Sequence, residues 1–255
     1  MAEKMDVEAR IAHFLRVSED PGATQAERDT AGREAERLLA KLAIDRLTLD
    51  VEGARRAERE PIERATVEVA GGRGTVALDV VLGLIAAAKA LGLVAHYRDR
   101  RSVDRRWDGP DATPHVELVV TGFRSDLALA VPLLESLRTQ AVLAMWTWWR
   151  GEPLHRRIPR WDAHLARCAF VQEFGRGAAA RLAAGREEAI ATPTAGTALV
   201  VAAREEQVET WVREHVHVRS TTDRRSFSGY GRAPGYQAGL RSSGTTQRAV
   251  PSAGG

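Results

Sequence analysis

Two amphipathic stripes at the start of the chain predict a helical hairpin. Residues 7–15 and residues 31–42 each place apolar side chains at the three- and four-residue spacing of one helix face. Thr24 and Glu27 have the spacing of a capping box, in which each side chain bonds the other residue's backbone N–H at a helix start. We therefore predict a helical hairpin module at residues 1–50, which needs a partner surface because two stripes bury each other only in part.

After a charged linker, the pattern over residues 62–218 indicates an α+β domain. Val67 and Val69 alternate with polar neighbours, as in a half-buried strand, and longer stripes at helical spacing follow. The order predicts β-α-β-β-α followed by α-β-α, which we interpret as a small mixed sheet with helices on one face. The predicted elements are a strand at 67–69, a helix at 77–91, strands at 93–97 and 115–121, helices at 125–148 and 161–182, a strand at 198–201 and a helix at 205–215.

Residues 219–255 are rich in Gly, Ser, Thr and Arg and show little apolar periodicity. Such a segment buries too little apolar area to offset its ordering entropy, so we predict a flexible C-terminal tail. From residue 215 onward the chain carries six arginines and one acid, Asp223. Either a solubilising tail or a nucleic-acid-binding arm fits this composition. The arm would use Arg224, Arg225, Tyr230, Arg232 and Tyr236.

The composition says more about the cellular compartment of the protein than about its function. The single cysteine, Cys168, excludes an intrachain disulfide, and the N-terminus shows no secretory pattern, so we expect a cytoplasmic protein. No apolar run approaches the roughly 18 residues that a membrane helix needs, so we expect no membrane partner. Only three of the 37 basic residues are lysine, as expected from a GC-rich genome, so arginine content alone does not indicate nucleic acid.

A family pattern is visible in residues 11–15, 18–24, 34–41 and 44–45, and more weakly in Gly122–Asp126, Ser136–Gln140, Phe170–Leu182 and Gly235–Gly239. These segments resemble the domain-of-unknown-function 2786 family of actinobacteria and their phages. Leu42-Ala43 departs from the polar residue and glycine that are usual in the family. The family has no established activity, so the resemblance implies architecture rather than chemistry. It also implies that part of the tail docks on the body.

The glycine loop offers one enzymatic alternative. Gly72 and Gly74 belong to a G-x-G-x-x-A sequence between a predicted strand and helix, and Asp99 follows the next strand. That order is typical of a dinucleotide site, where glycines admit the pyrophosphate and the acid binds a ribose hydroxyl. However, the first strand alternates and no series of βα units follows, so a simple turn is the favoured interpretation and we predict no cofactor.

A metal site is the other enzymatic alternative. His164 and Cys168 are four residues apart on a predicted helix, so both side chains could reach one ion. No third ligand stands at a fixed spacing, and a lone cysteine on a helix is usually packed core. The chain also lacks a nucleophile elbow and a Walker A lysine. These absences favour a protein that is not an enzyme.

Tryptophan and arginine are interleaved where the two longest predicted helices meet. Trp146, Trp148 and Trp149 end one helix, and consecutive 100° turns point them to different sides, so one stripe cannot bury all three. They are either covered by the following loop and helix or form a partner or base-stacking surface. We hypothesise a non-enzymatic accessory protein that binds nucleic acid or a protein partner, with its oligomeric state left open. The candidate residues here are Trp146, Trp149, Arg150, Arg156 and Arg157.

Overall fold

The computed structural model describes residues 60–102, 112–153, 158–191, 197–217 and 229–242, together with single residues between positions 10 and 38. The predicted hairpin as a whole lies outside the described residues. The elements, in chain order, are β1 (Ile62–Ala70), α1 (Ala77–Ala90), β2 (Val94–Arg100), β3 (His115–Phe123), α2 (Arg124–Gly151), α3 (Arg160–Ala191), α4 (Thr197–His215), a 3-10 turn (Gly229–Gly231) and α5 (Arg232–Arg241).

The three strands form an antiparallel sheet in the order β1-β3-β2. The prediction of a mixed sheet was wrong, because β3 inserts between β1 and β2 and runs opposite to both. The β-α-β-β-α order with this pairing is that of a split βαβ unit. Alternate residues on each strand, such as Val67 and Leu118, which pair across β1 and β3, face a core shared with α1 and α2. The predicted α+β class and the alternation of β1 are confirmed.

The start of α2 is held by Glu60, which lies just before β1. The sequence suggested Ser125 or Asp126 as the cap, but the cap position is Phe123, which makes no side-chain cap bond. Instead, the Glu60 carboxylate accepts the backbone N–H of Ser125 at 2.7 Å. An acid at a helix N-terminus satisfies an orphan donor and complements the helix dipole.

Helix α2 is also apolar enough, by length and composition alone, to cross a membrane. The sequence-based expectation of no run of that kind therefore missed it. Its mean hydropathy over 18 residues is 1.3, and 39% of that window is buried inside the protein. One such helix is weak evidence for a membrane, because core helices of soluble proteins pass the same test. Here Leu134, Leu137 and Met145 of α2 lie in the shared core.

Glycines allow α3 to pack closely against helices on two sides. Gly175 of α3 crosses Gly83 of α1 so closely that a Cβ on either residue would overlap the other helix's backbone. On the other side, Gly231, Gly235 and Gly239 repeat every fourth residue and lie against the α3 main chain. The prediction that the tail is irregular was wrong for residues 229–242, since this glycine face lets them dock.

Helix α4 corrects two further predictions. The strand predicted at 198–201 lies inside α4, so the apolar run there belongs to a helix. The helix also packs against the second face of the sheet, so helices do not cover one face only. Arg204 anchors it: its guanidinium lies 3.3 Å from the Glu60 carboxylate, 3.0 Å from that of Asp126 and 3.7 Å from the centre of the Phe123 ring.

Within the hairpin segment, the described residues include the capping pair. The Thr24 backbone N–H donates to the Glu27 carboxylate at 2.8 Å, and the Glu27 N–H donates to the Thr24 hydroxyl at 3.3 Å. These are the two reciprocal bonds that the sequence pattern predicted. Leu38 is buried and Phe14 is half-buried.

Candidate nucleic-acid interface

The tryptophans that end α2 point in different directions, as their spacing predicts. Trp148 stacks on Phe170 of α3 with 4.9 Å between ring centres and joins the edge of the core. Trp146 and Trp149 instead share a cation from α3. The Arg167 guanidinium lies 5.4 Å from the first ring centre and 5.5 Å from the second. The next helix therefore covers part of the cluster, while Trp146 stays 40% exposed.

The start of the docked tail reaches the same end of α3. A Cβ on Gly231 would overlap the carbonyl of Ala166, so the 3-10 turn lies directly on the second turn of α3. This contact leaves Tyr230 at the surface, 56% exposed, and Arg232, on the other side of Gly231, is exposed as well. The tryptophan cluster at the end of α2 and the start of the docked tail are about eighty residues apart in the sequence. In the structure both lie at the start of α3.

The large hydrophobic side chains that are exposed in the described part of the chain all surround this helix end. They are Trp146, Trp161 and Tyr230, and Trp161 is the most open at 65%. We call the surrounding surface the α3 collar, defined by Trp146, Trp149, Arg150, Trp161, Arg167, Tyr230 and Arg232. Trp161 and Ala166 are about 140° apart around α3 at 100° per residue, so the collar curves around the helix and is not a flat patch.

Arginine outnumbers acid around the collar. Arg150 and Arg160 are exposed, and the Arg150 Nε donates to the Trp146 carbonyl at 3.3 Å. Glu152 and Asp162 are the nearby acids along the same two helix ends, and both are half-buried. With Arg167 and Arg232 the described part of the collar has a cationic excess, which suits a polyanion.

The remaining predicted binding residues have different outcomes. Arg156, Arg157, Arg224 and Arg225 lie outside the described residues. Tyr236 is half-buried in α5, and its backbone carbonyl lies against Gly177 of α3, so it contributes to docking. The sequence interpretation missed Arg167, whose role depends on a tertiary contact with α2.

The glycine loop and Asp99 occupy a different geometry from a dinucleotide site. Gly74 has a φ of 81°, and the Thr75 hydroxyl donates to the Gly72 carbonyl at 2.8 Å, closing a tight turn before α1. The Asp99 carboxylate accepts two bonds from the Arg101 side chain, at 2.8 and 2.6 Å, and these bonds lower its pKa. Antiparallel β3 separates the strands that carry the loop and the acid, whereas a dinucleotide fold has them adjacent and parallel.

His164 and Cys168 do meet on α3. The Cys168 sulfur lies 3.5 Å from the His164 Nε2, and the cysteine is fully buried. In the part of the chain that the structure describes, no group of three His, Cys, Asp or Glu side chains converges on one point. The contact is that of a buried thiol hydrogen-bonded to a neighbouring imidazole.

Comparison with known proteins adds no functional assignment. No family model, curated protein or solved structure matches this chain. The resemblance carried by the N-terminal segments therefore stays a prediction, and the chemistry of the α3 collar is the basis for a functional proposal.

Proposed function

We propose that this chain is a non-enzymatic accessory protein that binds single-stranded nucleic acid through the α3 collar. The observation that carries the proposal is the convergence of Trp146, Trp161 and Tyr230, all exposed, with arginines at one helix end. Base stacking on aromatic side chains and arginine contacts to phosphates are the two components of single-strand binding. A protein of this kind needs no catalytic group or cofactor.

The curvature of the collar favours a flexible strand over a duplex. Trp161 and the turn that carries Tyr230, which lies on Ala166, are about 140° apart around α3. Rings so placed cannot stack on neighbouring bases of a straight duplex, but an unpaired strand can bend around them. The arginines near the rings would neutralise phosphates without reading sequence, so binding is expected to fall steeply with salt.

The test is fluorescence anisotropy of a labelled single strand of about twelve nucleotides, titrated with the full chain at about 50 and 300 mM salt. Trp161→Ala and Tyr230→Ala remove exposed rings and should each weaken binding by about 1–3 kcal/mol if a base stacks there. Arg176→Gln, which removes an exposed arginine paired with Glu173, is the matched control. Equal binding by all variants, or none at low salt, would reject the collar.

A protein partner is the second candidate for the same surface. Trp161 is 65% exposed and Tyr230 is 56% exposed, and such aromatic residues are enriched at protein interfaces. In that case the single-strand titration fails, while the Trp161→Ala variant loses a partner recovered from the native host. Salt separates the two functions, because an aromatic protein contact depends on it less than phosphate contacts do.

A further inference from the structure

A groove beside α4 lies on the sheet face that points away from α1 and α2. Its floor is the central pairing row, in which Thr66 of β1 lies opposite Val119 of β3. Its volume is about 510 Å³, within the range of small-molecule sites. The residues that line it are Ile62, Glu63, Arg64, Thr66, Arg98, Val119 and Trp211.

The β1 side of the groove offers Arg64, an arginine that has no acidic partner in the part of the chain that the structure describes. Among the described residues, no ion pair involves Arg64, whose guanidinium lies 6.0 Å from the centre of the Trp211 ring. Glu63, the one acid among the described lining residues, is ion-paired with Arg124. Arg64 is therefore available to an anion, since a 6.0 Å cation–π contact is at the outer limit of that interaction.

The β2 side adds a second arginine that shares its acid. Arg98 lies 3.4 Å from the Glu117 carboxylate, which also lies 3.9 Å from Arg100 and 3.4 Å from the His115 ring. Glu68 pairs opposite Glu117 on β1 and adds a second negative charge at that end. Arg98 therefore shares Glu117 with Arg100 and His115 and has no carboxylate of its own among the described residues, although Glu68 lies at the same end of the groove.

The imidazole of His96 lies close to both arginines. Its partner across the strands is Val119, on the groove floor. Burial lowers the pKa of His96, and the charges of Arg98 and Arg64 lower it further. Both arginines therefore act on the floor of the groove from opposite sides, and a negative ligand there would be stabilised by the same field.

Trp211 provides a flat wall. The His215 ring stacks on the indole with 4.5 Å between centres and an interplanar angle of 11°. This stack fixes the orientation of the indole at the groove. The position of α4 depends in turn on the Arg204 contacts with Glu60 and Asp126.

From these groups we infer that the groove binds one nucleoside phosphate, with the phosphate at Arg64 and Arg98 and the base against Trp211. Guanidinium groups match phosphate geometry, and any base can stack on an indole. The ligand can be a free nucleotide or one unit of a single strand. A duplex cannot present a single base to this wall, because its bases are stacked and paired. Only the single-strand source rests on the proposed function.

The test titrates the full chain with a nucleoside monophosphate by calorimetry and with the labelled single strand by anisotropy. Arg98→Gln and Trp211→Leu should each weaken the bound ligand about tenfold, from the loss of one phosphate contact or one stacking contact. Arg213→Gln is the matched control, since it removes an exposed arginine from the same helix without touching the groove. Circular dichroism checks that the Trp211→Leu variant keeps α4. The Arg98→Gln variant changes no residue of that helix.

The outcomes separate this inference from the proposed function. Nucleotide binding that is lost in Arg98→Gln supports the groove even if the single strand does not bind, and then only the collar proposal fails. Single-strand binding that neither groove variant weakens, with no nucleotide binding, overturns the groove and leaves the collar in place. No binding of either probe overturns both. A Trp211→Leu variant that loses binding while Arg98→Gln keeps it overturns the assignment of the phosphate.

Discussion

Replacing Gly235 by alanine tests the docking of the tail on α3. A Cβ at this position would lie 2.9 Å from the Phe170 Cα and carbonyl carbon, and closer still to the carbonyl oxygen. These are backbone atoms of another helix, so no rotamer change can relieve the overlap and α5 has to move outward. Overpacking costs about 1–3 kcal/mol, while alanine returns up to about 1 kcal/mol of helix propensity. With the full propensity gain subtracted, we expect a net loss of up to about 2 kcal/mol.

Gly185→Ala is the matched control within α3 itself. A Cβ there meets no atom within 4 Å, so only the propensity and entropy terms act. This variant should gain about 0.5–1 kcal/mol, the opposite sign. Urea unfolding followed by circular dichroism measures both free energies of unfolding, and thermal midpoints should move by about 2–4 °C per kcal/mol.

Local release of α5 would hide part of the loss from a global measurement. Limited digestion with trypsin detects that release, since Arg232 and Arg241 bound the helix. The variant should be cut there faster than the parent, whose α5 is packed. If Gly235→Ala is as stable as Gly185→Ala and resists trypsin equally, α5 does not pack on α3 through its glycine face.

Three further outcomes follow from the structure. Arg204→Met should lower the free energy of unfolding by about 2 kcal/mol, because it leaves Glu60 and Asp126 unpaired under α4; an unchanged urea midpoint would contradict this. Burial opposes the ionisation of Glu60, but the hydrogen bond from the Ser125 N–H and the charge of Arg204 outweigh burial and lower the pKa of Glu60. The contribution of Glu60 to stability is therefore present above the ordinary pKa of 4.5 and is lost as the pH falls through the lower pKa of the folded protein. Unfolding at about pH 6 and pH 3 should therefore show a smaller acid loss in Glu60→Gln than in the parent. Any signal from titration with a nicotinamide dinucleotide should be the same in Gly74→Val as in the parent, since β3 separates the glycine loop from Asp99; micromolar binding abolished by Gly74→Val would refute this.

Local patterns predicted most of the elements in the α+β region. Alternation at Val67 and Val69, and the stripes of α1 and α2, depend on which side of one element is buried, and a sequence records that directly. The strand predicted at 198–201 was wrong because a four-residue apolar run fits a buried strand and a helix equally well. The antiparallel order was not predictable either, since pairing depends on contacts between distant segments.

The tail shows how composition can mislead. Glycine and arginine favour disorder on average, yet Gly231, Gly235 and Gly239 are four residues apart and so share one helix face. That spacing was a readable signal of close helix packing. The groove had no such signal, because Arg64 and Trp211 are brought together only by the packing of α4 against the sheet.

The most direct test of the central claim is photocrosslinking of a bromouracil-substituted single strand to the full chain, with the crosslinked peptides identified by mass spectrometry. The account predicts crosslinks at Trp146, Trp161 or Tyr230 that disappear at high salt together with binding. Binding with crosslinks confined to other residues would contradict the assignment of the α3 collar as the nucleic-acid interface.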